Sequence, residues 1–245
     1  MPELGEMAAV AMAAEIVDKC PFPHEETKHD KTNDLSNVAS TLGDNIGGGD
    51  DREITVTLRG KSKPMDLGFQ AHHLIPGASI KGASELLKFV KSGGTVKADI
   101  GYLQNDERNG AWLPGLHKFE GWGELSKDGG YEIQFAYAYA AMEAAGCQFH
   151  MWDSSHKDYN AFVRRTLEEI RLKMLELRTD CDKCDDQSKK PWDPPYELVS
   201  MLYALAHRMK GYVTGSKGRW FPPYCTSDFA VLAGAGMTPD KFADL

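Results

Sequence analysis

The sequence contains no apolar run of membrane-spanning length. Its first residues also lack a basic stretch ahead of an apolar one, so no signal peptide is expected, and with it no export through the general secretory route. There is no internal repeat. Cysteine is scarce and odd in number: Cys20, Cys147, Cys181, Cys184 and Cys225. An odd set in a chain without an export signal argues against a disulfide framework. An excess of positive charge is missing too, since the net charge is −8. That deficit is local. Residues 1–51 carry eleven Asp and Glu against three Lys and Arg, and the remaining chain carries twenty-five of each.

Two basic stretches lie in the neutral remainder. Residues 207–219 contain Arg208, Lys210, Lys217 and Arg219 and no acid, which makes them the candidate phosphate contacts. Arg164, Arg165, Arg171, Lys173 and Arg178 form the second set, but they alternate with Glu168, Glu169 and Glu176, as a solvated helix face does.

At 245 residues the chain fits one large domain, or a domain with an appendage. Residues 7–17 are Ala-rich and helix-prone, and residues 20–52 read as an irregular polar segment ending in Gly47-Gly48-Gly49-Asp50-Asp51. So long a loop either wraps an underlying surface or links to something upstream. We therefore divide the chain into an acidic N-terminal segment, 1–52, and a domain, 53–245. Alternation predicts a strand over 53–58, residues 84–90 read as a helix broken at Ser92-Gly93-Gly94, and a second strand is expected over 109–114 after a loop rich in Asn, Asp and Gly. Helices are predicted over 134–145, ending at Gly146, and from a cap at Asp153, Ser154 or Ser155. Tyr159, Phe162, Val163, Leu167, Ile170, Met174 and Leu177 make one buried stripe on the latter. A last helix is predicted from Pro194-Pro195 to about Lys210, and Trp112 is expected in the core.

The chemistry concentrates in Phe69-Gln70-Ala71-His72-His73-Leu74-Ile75-Pro76-Gly77. Pro76-Gly77 turns the backbone just after a strand. Adjacent side chains of a regular strand point to opposite faces, so both imidazoles serve one site only if the strand bends or ends there. One imidazole could then hold a metal while the other takes a proton from water. The plainer alternative is a pair of partly buried histidines at a strand end.

Cys181-x-x-Cys184 has metal-knuckle spacing but is half a site, and Cys20-x-x-x-His24 could supply the other half of a tetrahedral structural zinc site. The alternatives are reduced surface thiols or a redox pair, the latter disfavoured because no βαβ pattern surrounds the cysteines.

The Ala-His-His-hydrophobic-hydrophobic-Pro-Gly motif is followed by Asn109-Gly110-Ala111-Trp112-Leu113-Pro114 and then by His156-Lys157-Asp158-Tyr159-Asn160 at a helix start. This ordered set resembles the AHH nuclease family of the HNH/endonuclease VII (ββα-metal) superfamily. Cys20-Pro21-Phe22-Pro23-His24, Thr41-Leu42-Gly43-Asp44-Asn45, Asp99-Ile100-Gly101-Tyr102, Cys181-x-x-Cys184 and Pro194-Pro195-Tyr196 look like further landmarks, through most of residues 20–228. The resemblance implies an α+β fold, with a ββα-metal core embedded in a mainly helical domain. It implies a phosphodiester-hydrolysing endonuclease with one divalent ion, Mg or a transition metal. His73 would be the general base, His72 a metal ligand together with His156 or His150, and Asn109 would orient the base or complete the metal shell. Cleavage would leave 5′-phosphate and 3′-hydroxyl ends. One departure is the longer His150-to-His156 spacing, where members often show His-x-x-His or His-x-x-x-His; either His150 still reaches the metal or Asp153 replaces it. His117 could approach the site, though a surface position fits it better.

The resemblance also implies a setting. Such nucleases are frequently C-terminal toxin domains of type VI secretion effectors, following a PAAR-like spike domain and paired with an immunity protein. The expected partners are DNA, a cognate immunity protein and a secretion-spike component reached through the upstream region, with no membrane. The expected destination is the cytoplasm of a target bacterium. The acidic segment could occupy the basic groove until delivery, or could be a linker. Two other readings compete: an RNase with the same site, and a non-catalytic, zinc-stabilised adaptor of the spike.

Overall fold

The computed structural model describes residues 4–24, 30–49, 52–116, 122–184 and 188–245. The chain falls into two compact units, each assembled from three separate stretches. The first comprises 1–38, 73–109 and 160–208, and the second 39–72, 110–159 and 209–245.

The second unit holds the sheet. β1 (Arg52–Leu58) pairs antiparallel with β2 (Lys61–His73), and β3 (Gly110–Gly115) completes the order β1-β2-β3. Arg59 and Gly60 join β1 to β2, both at positive φ (49° and 72°), the two-residue turn whose twist suits a hairpin. Alternation decides the buried face: Ile54 and Val56 of β1 and Met65 and Leu67 of β2 all point into the core. That face is covered by a helix of 24 residues, Trp122–Ala145, which packs on β1 and β3 and is interrupted at Gly130 (φ 58°, ψ −141°). Phe135, Tyr137, Phe149 and Phe229 fill the space between, with Phe135 and Phe229 stacked at 5.8 Å. Each such ring removed from water contributes about 1.5–3 kcal/mol.

In chain order the helices are α1 (Leu4–Ile16), α2 (Ala39–Ile46), α3 (Gly77–Gly82), α4 (Ser84–Val90), α5 (Trp122–Ala145), α6 (Ser154–Thr179), α7 (Leu198–Val213), α8 (Asp228–Gly234) and α9 (Pro239–Ala243). The predicted strands and most of the predicted helices are therefore present. α6 carries the predicted stripe, buried from Tyr159 to Met174 with Leu177 only half-buried. α7 starts four residues later than Pro194. The architecture is α+β, a small antiparallel sheet together with helices, consistent with a ββα-metal nuclease core.

The polar segment 20–52 is less irregular than its composition suggests. α2 lies within it and packs on β3. In the first unit, residues 33–38 are threaded into the structure by side-chain hydrogen bonds. Asn33 Oδ1 accepts from the backbone N–H groups of Gly101 and Tyr102, and its Nδ2 donates to the Val90 carbonyl. Asn37 Oδ1 accepts from the Gly77 N–H. Of the two alternatives for this segment, residues 33–38 take the first and wrap a surface.

Trp112 departs from expectation. It is half-buried, donates from Nε1 to the Gly47 carbonyl, and is covered by Gly43 and Gly49, where any Cβ would come within 3.0–3.1 Å of the indole, closer than ordinary van der Waals contact.

Candidate functional site

Three elements of the second unit bring three histidines together. His72 is the penultimate residue of β2 and is buried at 3% exposure. His150 follows a loop held by the buried amide of Gln148. That amide donates to the Tyr224 carbonyl and accepts from both the N–H and the hydroxyl of Thr226. The backbone N–H of His150 donates to the Pro114 carbonyl, which bridges it to the end of β3. His156 sits in the first turn of α6, where its N–H is capped by the Asp153 carboxylate at 3.1 Å.

The ligand-capable atoms of the three rings all lie within 4.8 Å of one another, and Nε2 of His150 is 3.0 Å from Nε2 of His156. Burial lowers the pKa of His150 to about 3, with the His156 ring beside it acting in the same direction, and lowers that of His156 to about 4. Both rings are thus neutral at ordinary pH, the form that binds a metal. Nδ1 of His156 is buried without a hydrogen-bond partner among the described residues. Tyr159, one helical turn on, closes the group with its ring 5.4 Å from that of His72.

The long His150-to-His156 spacing is accommodated by the bridge to β3, so His150 reaches the group. Asp153 does not join it. Its two oxygens accept from the N–H groups of His156 and Asp228. His117 lies outside the described residues.

His73 ends β2 in the first unit, and its partner is Asn105, whose Oδ1 is 2.9 Å from His73 Nε2. The orientation of that amide is fixed from both ends, because Oδ1 also accepts the Val38 N–H and Nδ2 donates to Ser36 Oγ. His73 Nε2 must then carry the proton, which leaves Nδ1 as the acceptor. Burial lowers the pKa of His73, partly countered by this hydrogen bond. The two adjacent imidazoles thus have separate sets of neighbours, as strand alternation requires.

Asn109, expected beside the base, is elsewhere engaged. Fully buried, it accepts from the Ile75 N–H and donates to the carbonyls of Ile75 and Gln104, which pins the turn after the His-His motif. In this structure the residue hydrogen-bonded to His73 is Asn105. No pattern in the Asn-rich loop distinguished the two. Gln70 was also missed, although a signal existed: two residues before His72, it shares that face of β2. Its Oε1 lies 3.3 Å from His150 Nδ1. A side chain at Gly115 would collide with the Gln70 amide, so the glycine there preserves that contact.

The four candidate phosphate contacts differ in their surroundings. Arg208 pairs with Glu15 in the first unit, and Lys217 with Glu143 in the second, where its ammonium also lies 4.0 Å from the centre of the Tyr139 ring. Lys210 and Arg219 are exposed. In the first unit Cys20, His24, Cys181 and Cys184 form a second group whose ligand-capable atoms all lie within 4.8 Å. No helix is long and apolar enough to cross a membrane among the described residues.

A family model described as a nuclease family of the HNH/ENDO VII superfamily with conserved AHH matches residues 57–190. No curated protein and no solved structure matches the chain.

Proposed function

The chain belongs to the AHH nuclease family of the HNH/ENDO VII superfamily, and from that membership we propose a metal-dependent, largely non-specific DNase that serves as an antibacterial toxin. The observation that carries the reading is the convergence of His72, His150 and His156. Three imidazoles, two buried and one half-buried, with no carboxylate among them fit a divalent transition ion better than Mg2+, which takes oxygen ligands. A bound cation would neutralise the charge that develops on the phosphate and on the leaving 3′ oxygen.

The protein's own groups supply the rest. His72, His150 and His156 would hold the ion, with Gln70 orienting the His150 ring. His73 is the proposed general base, accepting the proton of the attacking water at Nδ1 while Asn105 holds the proton on Nε2. Lys210 and Arg219 would contact phosphates, which gives affinity without sequence information. The proposed setting is delivery through a type VI-like apparatus behind an upstream spike domain, with an immunity protein in the producer.

The test is incubation of the purified chain with plasmid, linear DNA and total RNA, with and without EDTA. Metal-depleted protein is then reloaded with Mn2+, Ni2+ or Mg2+. We expect both DNA forms to be cut to 5′-phosphate ends, EDTA to stop cleavage, and Mg2+ to restore least. Cleavage of RNA alone would overturn the DNase assignment. Intact substrates under every metal would overturn the catalytic reading.

A further inference from the structure

The second group of metal-capable residues shares no member with the site above and can be argued separately. Cys20 and His24 come from the stretch that follows α1, and Cys181 and Cys184 from the turn that follows α6, more than 150 residues away. All four belong to the first unit.

We propose that Cys20, His24, Cys181 and Cys184 bind a structural zinc ion as a closed tetrahedral centre of three thiolates and one imidazole.

The distances fit. Cys20 Sγ is 3.4 Å from Cys184 Sγ, and Cys181 Sγ is 3.5 Å from His24 Nε2. Zn–S bonds of about 2.3 Å at tetrahedral angles separate two sulfurs by about 3.8 Å, and a shorter Zn–N bond brings nitrogen and sulfur somewhat closer. The sulfurs are also well beyond the roughly 2.05 Å of a disulfide, and all three cysteines carry free thiols. Four ligands from the protein leave no open position, which is the arrangement of a structural site. Soft thiolates with one imidazole select zinc over Mg2+ or Ca2+.

The surroundings fit the charge. Binding Zn2+ releases three thiol protons and leaves a centre of net charge −1. Arg178, in the last turn of α6, is buried at 5% exposure and close enough to Cys184 to act on it electrostatically. Its guanidinium lies over both Phe22 and Trp192, 4.4 and 4.5 Å from their ring centres, in the corner made by these near-perpendicular rings. Phe22 lies between Cys20 and His24 in sequence, so the ligand loop itself helps to fix the cation. Such a centre ties the stretch after α1 to the end of α6, a closure that no run of backbone pairing supplies there among the described residues.

The experiment is elemental analysis and zinc X-ray absorption on the full chain, purified under reducing conditions without added metal. We expect about one zinc with a shell of three sulfurs at about 2.3 Å and one nitrogen at about 2.0–2.1 Å. Cys20, Cys181 and Cys184 should resist alkylation until a strong chelator is added, while Cys181→Ser/Cys184→Ser loses that zinc. His150→Ala/His156→Ala should retain it, which separates this centre from the nuclease site. If the double serine variant fails to fold, the sulfur shell of the unaltered chain still decides. Zinc-free folded protein, a shell of only nitrogen and oxygen, or a Cys20–Cys184 disulfide would overturn the proposal.

Discussion

At the scale of single residues, the separation between His73 with Asn105 and the buried turn residue Asn109 makes distinct predictions. His73→Ala should lower cleavage on the order of a hundredfold or more while leaving the metal content unchanged, because a base is lost and no ligand. Asn105→Ala frees the ring to take the other tautomer and should cost about tenfold to a hundredfold in kcat, with substrate affinity nearly unaltered. Asn109→Ala should act differently. It strands the Ile75 N–H and the Gln104 carbonyl in a buried turn, while the Ile75 carbonyl keeps the Gln104 side-chain amide, so about 1–3 kcal/mol of stability is lost. Thermal unfolding and single-turnover kinetics on both variants check this. Equal kinetic loss in Asn105→Ala and Asn109→Ala, with equal Tm, would refute the division of labour. The sequence made the histidines legible because imidazole is rare and its chemistry narrow. It could not separate two asparagines four positions apart, because the choice rests on which one's amide meets the Val38 N–H, a contact 67 residues away.

At the scale of elements, the start of α6 carries most of the site's rigidity. Two carboxylates clasp two helix N-termini reciprocally. Asp153 accepts from the N–H groups of His156 and Asp228, while Asp228 accepts from the Ser155 N–H at 3.0 Å and from the hydroxyls of Ser154 and Ser155. Burial would raise the Asp228 pKa, but the Ser155 and Ser154 hydrogen bonds outweigh it and the net shift is downward. A carboxylate with a depressed pKa stabilises the fold in its ionised form. That stability is present above the ordinary value of about 3.9 and lost as pH falls through the folded value. Asp228→Asn should therefore cost about 1 kcal/mol near neutral pH. Its deficit in Tm relative to the unaltered chain should shrink as pH drops below about 4. A deficit that stays constant across that range would show that charge is not what the position uses.

Element existence was largely readable, for the reason that β1 alternates and α6 holds its 3.6-residue stripe over several turns. α2 was not. Ala-Ser-Thr-Leu-Gly-Asp-Asn-Ile contains a glycine and two turn-formers and would not persist alone as a helix. It exists because Leu42 is fully buried and because Gly110 leaves room for Leu42 and Ile46 against β3. The clasp between Asp153 and Asp228 spans 75 residues, and no local pattern announces it.

At the scale of the whole molecule, charge is the property that sequence order misrepresents. Residues 207–219 contain no acid, yet Arg208 and Lys217 are neutralised by Glu15, from near the start of the sequence, and Glu143, from its middle. A chain with net charge −8 must bind a polyanion through the cations that remain available, and of the four candidates Lys210 and Arg219 are the exposed ones. Binding is best measured with His73→Ala, so that DNA survives the titration. Lys210→Glu/Arg219→Glu should weaken affinity for unrelated DNA sequences to the same extent. It should also reduce the slope of log affinity against log salt by roughly 0.9 for each phosphate contact removed. Arg208→Glu/Lys217→Glu removes two internal ion pairs and should lower Tm more than it changes that slope. With His73 restored, saturating DNA should recover most of the cleavage rate in Lys210→Glu/Arg219→Glu, because phosphate contacts position the substrate without doing the chemistry. An unchanged slope would mean that the phosphates meet other cations, with Arg164 and Arg165 of α6 the next pair to reverse.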